Sequence, residues 1–303
     1  MTASGSAMFE KVVVGFVRRL PYGGYRLLRL LSGFLPGLRR YPLKLPLAEN
    51  IVIHADLSLN VFFPLIKYGC YPHQITEDLI IQSILREEDC VVDVGANIGY
   101  VSLLCALIVG NRGVVHSFEP SAVCFPFLQA LSDHVRQITP WRFAVSDCVG
   151  SSYFRDESMV DRSLLVSCPG VNTYPVPCYS IDAWVTEHRI NRIDFLKIDA
   201  EGHDLKVISG ASSSIDSFRP IIEFEAFDKD CVRQIVEILS KSAPCAGYRV
   251  FRCANHHPAT VLSKPGWTNN WFAIPESRRF RFPDFVFHRS FLIEEQQLGS
   301  SIA

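Results

Sequence analysis

Two acids and a histidine stand close together at the end of a short apolar segment, in the sequence Lys197-Ile-Asp-Ala-Glu-Gly-His203. Asp199 and Glu201 supply carboxylates that can orient a hydroxyl group, and His203 supplies an imidazole whose ordinary pKa is about 6.5. Such a histidine is suited to take a proton from a reacting group near neutral pH. We therefore expect Asp199, Glu201 and His203 to form a catalytic group, unless His203 is a solvent-facing residue in the first turn of a helix.

A glycine-containing turn, Asp93-Val-Gly-Ala-Asn-Ile-Gly99, follows an earlier apolar segment. Gly95 and Gly99 allow the backbone to turn sharply and approach a ligand closely, and a helix that begins near Gly99 directs N–H groups towards that ligand. Asn97 stands where a third glycine would complete a phosphate-binding turn, so the G-x-G-x-x-G pattern of dinucleotide sites is not matched. The turn therefore favours a nucleoside that carries an amino acid over a nicotinamide dinucleotide.

Two further acids follow the next two apolar segments. Glu119 lies 26 residues after Asp93, a separation that suits one strand–helix–strand unit. An acid at that position can accept hydrogen bonds from both hydroxyl groups of a ribose. Asp147 can meet the amino group of an adenine or can cap a turn before Gly150, and the sequence leaves these two interpretations open.

These residues need a scaffold that gathers the ends of several strands. Apolar, strand-like segments alternate with helical patterns, at residues 90–94, 113–118, 141–145, 193–198 and 220–224, and an antiparallel pair follows at 248–251 and 271–274. The alternation predicts an α/β fold with a mainly parallel seven-stranded sheet and helices on both faces. In such a sheet the ligand lies beyond the carboxyl ends of the strands, which is where the candidate residues stand.

Taken in order, these segments resemble the FkbM-type family of S-adenosylmethionine-dependent methyltransferases. The resemblance spans about residues 76–227 and is carried by DVGANIGYVSLL (93–104), FEPS (118–121), AVSD with Gly150 (144–150), SIDAW (180–184), IDFLKIDAEGHDLKVISGA (193–211) and RPIIEFE (219–225). It implies a Rossmann-like fold, S-adenosyl-L-methionine as the cofactor, and O-methylation of a hydroxyl group on a sugar, polyketide or other natural product.

The resemblance also implies roles for individual residues. It assigns the cofactor loop to Asp93, Gly95, Asn97 and Gly99. It makes Glu119 the ribose-binding acid and puts Asp199 and Glu201 beside the reaction centre. His203 as the general base, and Asp147 as a cofactor contact, are hypotheses that come from residue chemistry.

Other functions remain as alternatives to an O-methyltransferase. The chain could be a non-catalytic S-adenosylmethionine-binding module, because a fold does not fix a function, or a nicotinamide-dependent oxidoreductase. Carboxylates could also hold a divalent metal against a diol acceptor, although we predict no metal ligands among the site residues. The expected partner is a small-molecule, glycan or lipid-linked acceptor, and the net charge of −1 gives no argument for nucleic acid.

Charge is unevenly distributed along the chain. Residues 1–48 hold eight basic residues and one acid, a net +7, which leaves −8 for the rest given the formal total of −1. Residues 8–35 are typical of two short basic amphipathic helices broken at 21–24. These either pack on the chain's own domain or form a peripheral contact, through residues 8–40, with an anionic membrane surface. We predict a basic N-terminal arm (1–48), ending in a linker from Pro42 to Pro46, then a methyltransferase domain (49–275) and a C-terminal extension (276–303).

The ten cysteines are not spaced as zinc ligands, and several lie in apolar segments such as the one around Cys105. Reduced cysteines of this kind behave as small hydrophobic residues and favour a cytoplasmic location, either free or peripheral to a membrane. No sequence segment has the length and apolarity of a membrane-spanning helix. His256 and His257 are expected in a solvated loop.

Overall fold

The computed structural model describes residues 3–21, 24–156, 164–166, 168–255, 266–282 and 292–294. The helices are α1 (Ala3–Arg19), α2 (Tyr25–Ser32), α3 (Phe62–Tyr68), α4 (Ile75–Ile84), α5 (Tyr100–Val109), α6 (Phe125–Ser132), α7 (Ile181–Glu187), α8 (Asp204–Ser209), α9 (Ser212–Phe218) and α10 (Lys229–Ser242). The strands are β1 (Tyr41–Leu45), β2 (Ala48–Ala55), β3 (Cys90–Val94), β4 (Val114–Phe118), β5 (Ile138–Trp141), β6 (Ala144–Val145), β7 (Gly150–Arg155), β8 (Leu164–Val166), β9 (Thr173–Tyr179), β10 (Phe195–Ile198), β11 (Ile221–Glu225), β12 (Arg249–Asn255), β13 (Gly266–Ile274) and β14 (Leu292–Glu294).

The central sheet has the order β14-β12-β13-β11-β10-β3-β4-β5. The five strands from β11 to β5 are parallel, whereas β13 and β12 run antiparallel beside them. These are the seven strands expected from the sequence, and the short β14 extends the outer edge. The structure confirms the mainly parallel α/β fold.

Helices cover both faces of this sheet because successive side chains of its strands point to opposite sides. In β3, Val91 belongs to the core under α4, α5 and α6, while Val92 belongs to the core under α7 to α10. In β10, Phe195 and Leu196 divide between the two cores in the same way. Strands buried on both faces explain why these segments are apolar throughout.

The third predicted strand, residues 141–145, is wrong in its bounds. The chain pairs with β4 only as far as Trp141, turns, and then continues as β6 in a second sheet with the order β6-β9-β7-β8. The intervening Phe143 packs against Phe118 and Tyr179, which bends the segment away from the central sheet. The sequence reasoning missed this small sheet because its strands are short and partly exposed.

The N-terminal segment forms the two predicted helices, and α1 packs on α3. The expected linker at Pro42–Pro46 is wrong, because β1 covers most of it and pairs with β2. Tyr41, Leu43 and Leu45 alternate into the core, and a two-stranded edge tolerates the proline between them. The β1–β2 pair crosses the proposed boundary at residue 48, and the three-part division of the chain stays a prediction.

Some predictions fall outside the described residues. His256 and His257 lie outside them, as does most of the C-terminal extension, of which residues 276–282 and 292–294 are described. In the part of the chain that is described, no helix combines the length and the apolarity needed to cross a bilayer.

Candidate active site

A cavity of about 800 Å³ lies at the carboxyl ends of the parallel strands. The strands end in register, so the residue that follows each of β3, β4 and β10 leaves the sheet at the same edge, namely Gly95, Glu119 and Asp199. Seven of the nine predicted site residues line this cavity: Asp93, Gly95, Asn97, Glu119, Asp199, Glu201 and His203. Gly99 and Asp147 do not line it.

Gly95 is required by the close approach of two strand ends. Its φ is +79°, a conformation that side chains with a Cβ rarely adopt, and a Cβ built there would lie 1.9 Å from the backbone oxygen of Asp199. Asn97 has a φ of +52°, which asparagine tolerates better than most residues. The turn therefore brings Asp199 against the loop that follows β3.

The backbone N–H groups of this turn are already used within the protein. Those of Gly95 and Ala96 donate to the Phe118 carbonyl, and that of Gly99 donates to the Ala96 carbonyl. The N–H of Ile98 donates to the side chain of its neighbour Asn97. The N–H groups left for an anionic ligand are those of the first turn of α5, which has no intrahelical acceptors for them.

Glu119 is buried and receives two backbone hydrogen bonds. Its Oε2 accepts from the Asn97 N–H at 2.7 Å, and its Oε1 accepts from the Ser121 N–H at 2.7 Å. A carboxylate offers about four acceptor positions, so each oxygen keeps one for a hydroxyl group. Burial raises the pKa of Glu119 to about 7, although both N–H groups counteract this effect by stabilising the charged form.

This arrangement fits the nucleoside part of S-adenosylmethionine. The cavity that Glu119 lines is large enough for a nucleoside with an amino acid tail, since ligand pockets typically measure about 300–1,000 Å³. Apolar side chains line the same cavity and suit a purine ring, among them Phe118, Phe143, Val145, Phe154 and Leu165. The residues present therefore fit the cofactor expected from the sequence.

Lys197, which the sequence reasoning did not select, lies at the centre of the acids. Its Nζ donates to Asp199 Oδ2 at 3.2 Å and lies 3.9 Å from Asp93 Oδ1. Burial lowers the pKa of Lys197, but the negative charges around it outweigh burial and raise that pKa above its ordinary value. A lysine within an apolar strand was the signal that could have identified it, because an ammonium group there needs buried carboxylate partners.

Asp93 makes its hydrogen bond within the protein. Its Oδ2 accepts a hydrogen bond of 2.6 Å from Ser102 Oγ, which in turn accepts one from Ser117 Oγ at 2.8 Å. Burial raises the pKa of Asp93, and Lys197 opposes that shift. Asp93 therefore fixes the start of the loop and the position of Lys197.

More acids surround this centre. Glu223 on β11 is buried, and burial raises its pKa to about 8. Asp204 accepts hydrogen bonds from the N–H groups of Glu225 and Ala200, and burial raises the pKa of both Asp204 and Glu225 to about 7. Glu225 also lines the cavity. Burial thus raises the pKa of several carboxyl groups around this centre.

The turn before α8 shapes the other side of the cavity. Glu201 and Gly202 have φ values of +50° and +87°, and this pair of left-handed residues places His203 at the start of α8. Burial lowers the pKa of His203, as does the positive charge of Lys206, and both effects favour the neutral imidazole. A neutral imidazole is the form that accepts a proton.

Asp147 contacts His203 through one intermediate residue. Ser146 Oγ donates to Asp147 Oδ1 at 3.1 Å and lies 3.3 Å from His203 Nε2. A hydroxyl group has one proton, so Ser146 accepts from Nε2–H when it donates to Asp147, which leaves Nδ1 as the basic nitrogen. This link gives the exposed Asp147 a role next to His203, as an alternative to capping a turn. It does not support a contact between Asp147 and adenine.

Part of the lining comes from outside the segments that resemble known methyltransferases. It consists of aromatic and amide side chains: Tyr25, Asn60, Phe63, Tyr71, Gln74 and Asn270. Tyr71 packs edge-on against the ring of Tyr100, with 4.7 Å between centroids. Sequence reasoning missed this lining because no local pattern marks it.

Among the residues described, no group of three or more His, Cys, Asp or Glu side chains is arranged to hold a metal ion. All ten cysteines are free thiols.

Comparison with known proteins relates the chain to methyltransferases. A hexuronic acid methyltransferase, AglP of Haloferax volcanii, is 28% identical over 139 residues, which is 45% of this chain and 56% of the relative. The chain therefore matches little more than half the length of that curated relative.

Two solved structures are also similar. A methyltransferase FkbM from Methylobacillus flagellatus KT is 16% identical, with a TM-score of 0.46 over 81% of this chain and 59% of that one. An O-methyltransferase from Bacillus cereus is 12% identical, with a TM-score of 0.39 over 68% of this chain and 82% of that one.

The family model described as "Methyltransferase FkbM domain" matches residues 93–250, more than half of the chain. The matched range begins at Asp93 and includes the glycine turn, Glu119, Lys197 and the turn that ends at His203. S-adenosylmethionine, the cofactor expected from the sequence, is thereby confirmed. The chain belongs to the FkbM methyltransferase family.

Proposed function

We propose that this protein is an S-adenosylmethionine-dependent O-methyltransferase that acts on a hydroxyl group of a sugar, a glycolipid or another natural product. The observation that carries the proposal is one cavity lined both by the buried Glu119 and by His203, whose pKa burial lowers. Such a cavity has room for a nucleoside and places a base beside the acceptor. Bound S-adenosylmethionine would supply an electrophilic methyl group. The residues of the chain bind the cofactor, orient the acceptor hydroxyl and remove its proton.

Cofactor binding falls to the glycine turn and its neighbours. Glu119 would accept hydrogen bonds from the ribose hydroxyls with the acceptor positions that Asn97 and Ser121 leave open. The first turn of α5 would hold the carboxylate of the amino acid tail, because its N–H groups and helix dipole favour an anion. Gly95 keeps this loop against Asp199.

The acceptor hydroxyl is oriented by a carboxylate and deprotonated by the histidine. Lys197 holds the side chain of Asp199, so that one carboxylate oxygen has a fixed position and the other is left to accept from the hydroxyl. Glu201 is the second candidate for that role. His203 takes the proton on Nδ1, and alignment together with a positioned base accounts for rate gains of several orders of magnitude.

The charges of the cavity favour a neutral sugar. Five carboxyl groups line it, namely Asp93, Glu119, Asp199, Glu201 and Glu225, whereas Lys197, the lysine among its described lining residues, is paired with two of them. An acceptor carboxylate would add negative charge to a low-dielectric site in which this cation already has carboxylate partners. Aromatic rings and amides in the remaining lining suit the apolar faces and hydroxyl groups of a sugar. We therefore propose a neutral sugar hydroxyl as acceptor, in contrast to the hexuronic acid named for the relative.

Calorimetry with S-adenosylmethionine is the first test. Glu119→Gln should weaken binding about tenfold or more, because it removes charge-assisted hydrogen bonds and turns an NH₂ group towards a backbone N–H. Glu187→Gln, on the exposed end of α7, is the control. Equal affinity of wild type and Glu119→Gln would refute the assigned cofactor site.

Mass spectrometry then tests turnover. Incubation with neutral glycosides and with hexuronic acids should yield products heavier by one CH₂ unit in the neutral set. Tight cofactor binding without any product would favour the non-catalytic module, and exclusive methylation of uronic acids would refute the acceptor class. Loss of activity after dialysis against EDTA would establish a metal-assisted reaction in place of the one proposed.

A further inference from the structure

Exposed apolar side chains are concentrated in α1, α2 and the turn that follows. In the described residues, six of the fourteen exposed large hydrophobic side chains lie within residues 12–35: Val12, Phe16, Leu27, Leu30, Phe34 and Leu35. Phe34 is 78% exposed and Leu30 is 62% exposed. The other eight are scattered over the rest of the chain, so this cluster is not an ordinary surface distribution.

Docking of the helices on the protein does not account for these residues. A different stripe does the docking, since Val13 and Val17 of α1 and Leu28 of α2 are buried. Lys67 of α3 also donates to the backbone carbonyl of Leu20, which fixes the end of α1. The helices are thus attached through one face, and a second apolar face remains in water.

The same segment of the chain is strongly cationic. Residues 11–48 contain eight lysines and arginines and no acid. Seven of these cations lie within residues 11–40, and all seven are exposed: Lys11, Arg18, Arg19, Arg26, Arg29, Arg39 and Arg40. An apolar stripe flanked by arginines is the arrangement of helices that lie in the interface of an anionic bilayer.

This surface adjoins the candidate active site. Tyr25, the first residue of α2, lines the cavity, and so do residues of α3, on which α1 packs. A bilayer in contact with Leu30 and Phe34 would therefore lie against the helix that forms part of the cavity wall.

We propose that the arm surface, defined by the six exposed apolar residues and seven cations above, binds an anionic lipid bilayer. The inference extends the proposed function, on which its second part rests: the methyl acceptor is a sugar linked to a lipid in that bilayer. Membrane binding itself depends only on the arm surface.

Vesicle sedimentation of the full chain tests this proposal. The protein should bind vesicles of phosphatidylcholine mixed with phosphatidylglycerol at least about tenfold more tightly than vesicles of phosphatidylcholine alone. Binding should fall when salt is raised from about 0.1 M to about 1 M, since the Debye length shrinks from about 10 Å to about 3 Å. Equal binding to both vesicles, or to neither, would overturn the proposal.

Two variants assign the binding to the arm surface. Arg26→Glu with Arg29→Glu should reduce binding to anionic vesicles about tenfold or more. Leu30→Ser with Phe34→Ser should reduce it by a similar factor, because the apolar contact with the acyl region is lost. The matched controls are Arg136→Glu with Lys229→Glu, and Val149→Ser with Val171→Ser, which change exposed residues elsewhere.

S-adenosylmethionine calorimetry on each variant separates this inference from the proposed function. Variants that bind the cofactor as wild type does, but no longer bind vesicles, support the membrane surface. Variants that still bind vesicles as tightly as wild type refute it while leaving the enzyme intact. A wild-type dimer in sedimentation velocity that dissociates in Leu30→Ser with Phe34→Ser would assign the surface to a second copy of the chain and overturn the proposal.

Discussion

At the scale of single residues, the site depends on how each ionisable group is held. Lys197 fixes Asp199 and faces Asp93, so the carboxylate that is proposed to orient the acceptor does not move freely. Burial and Lys206 lower the pKa of His203, which favours its neutral form. Asp147 acts on His203 from outside the cavity, through Ser146. These contacts give the site one basic nitrogen and one positioned carboxylate.

Replacing the proposed base should affect turnover and leave cofactor binding unchanged. His203→Ala should lower kcat about 10²- to 10⁴-fold, the usual contribution of a general base, with little change in the Kd of S-adenosylmethionine. Steady-state kinetics with the acceptor found by mass spectrometry, and calorimetry as the control, would measure both. A loss of kcat well below tenfold would exclude His203 as the base.

Asp147 should act as a positioning residue with a signature in the pH profile. Its negative charge raises the pKa of His203, so Asp147→Asn should lower that pKa. The acidic limb of kcat/KM against pH should then move to lower pH, together with a smaller loss of kcat than in His203→Ala. An adenine contact would instead change the KM of S-adenosylmethionine and leave the limb in place.

At the scale of elements, the turn after β3 and the end of β10 are built against each other. Gly95 combines a left-handed φ with the contact to the Asp199 carbonyl. Another matching segment has a structural role: Asp182 in SIDAW accepts from the N–H groups of Ser213 and Ser214, which ties α7 to α9. Resemblance to a family therefore marks scaffold residues as well as the residues proposed to act in catalysis.

Two glycine substitutions distinguish the energetic cost of a steric clash from the cost of a left-handed backbone conformation. Gly95→Ala places a methyl group 1.9 Å from a carbonyl oxygen, whereas Gly202→Ala, at a φ of +87°, meets no atom within 4 Å. We expect Gly202→Ala to lower the free energy of unfolding by about 1–2 kcal/mol, the cost of the left-handed conformation alone. Gly95→Ala should cost clearly more, about 3 kcal/mol or above. Urea denaturation would measure both, and equal losses would contradict the close approach of the two strand ends.

At the scale of the whole molecule, buried charges are paired differently at the two ends of the central sheet. At the amino ends of the strands, the buried Asp194 pairs with Arg278, with 2.7 Å between Oδ1 and Nη1. The buried Asp89 pairs with Arg281, with 2.5 Å between Oδ2 and Nη1. These pairs join the residues after β13 to β3 and β10. At the carboxyl ends, several acids lie around the buried Lys197, and burial raises the pKa of Asp93, Glu119 and Glu223.

Breaking the buried pair at the amino end should be costly. Arg278→Ala leaves Asp194 buried with one cation fewer and should lower the free energy of unfolding by about 3 kcal/mol or more. Arg233→Ala breaks an exposed pair with Asp230 on α10 and should cost less than about 1 kcal/mol. If chemical denaturation gave similar losses for the two variants, the buried network would not be a major contributor to stability.

The acids at the carboxyl end predict a pH dependence. Burial raises the pKa of Glu223 to about 8, so the folded state binds a proton that the unfolded state releases at much lower pH. Because the folded state then holds more protons, this residue makes stability fall as pH rises from about 5 to 8. Glu223→Gln removes that dependence. The free energy of unfolding of this variant minus that of wild type should therefore increase by about 1–3 kcal/mol as pH rises from about 5 to 8. Melting curves at several pH values would test it, with Glu187→Gln as the control, and a constant difference would show that Glu223 is ionised in the folded protein.

The sequence by itself determined the alternation of strands and helices, the glycine turn, and the acids that follow each strand. These features are local, because a strand's hydrophobic pattern and a turn's need for glycine are set by neighbours in the chain. Only the tertiary structure showed that Lys197 faces Asp93, that Ser146 reaches His203, and that β6 leaves the central sheet. Those facts depend on which distant segments become neighbours when both faces of the sheet are buried, and no short pattern encodes that. The same reason explains why the arm's exposed stripe became visible only once its buried face was known.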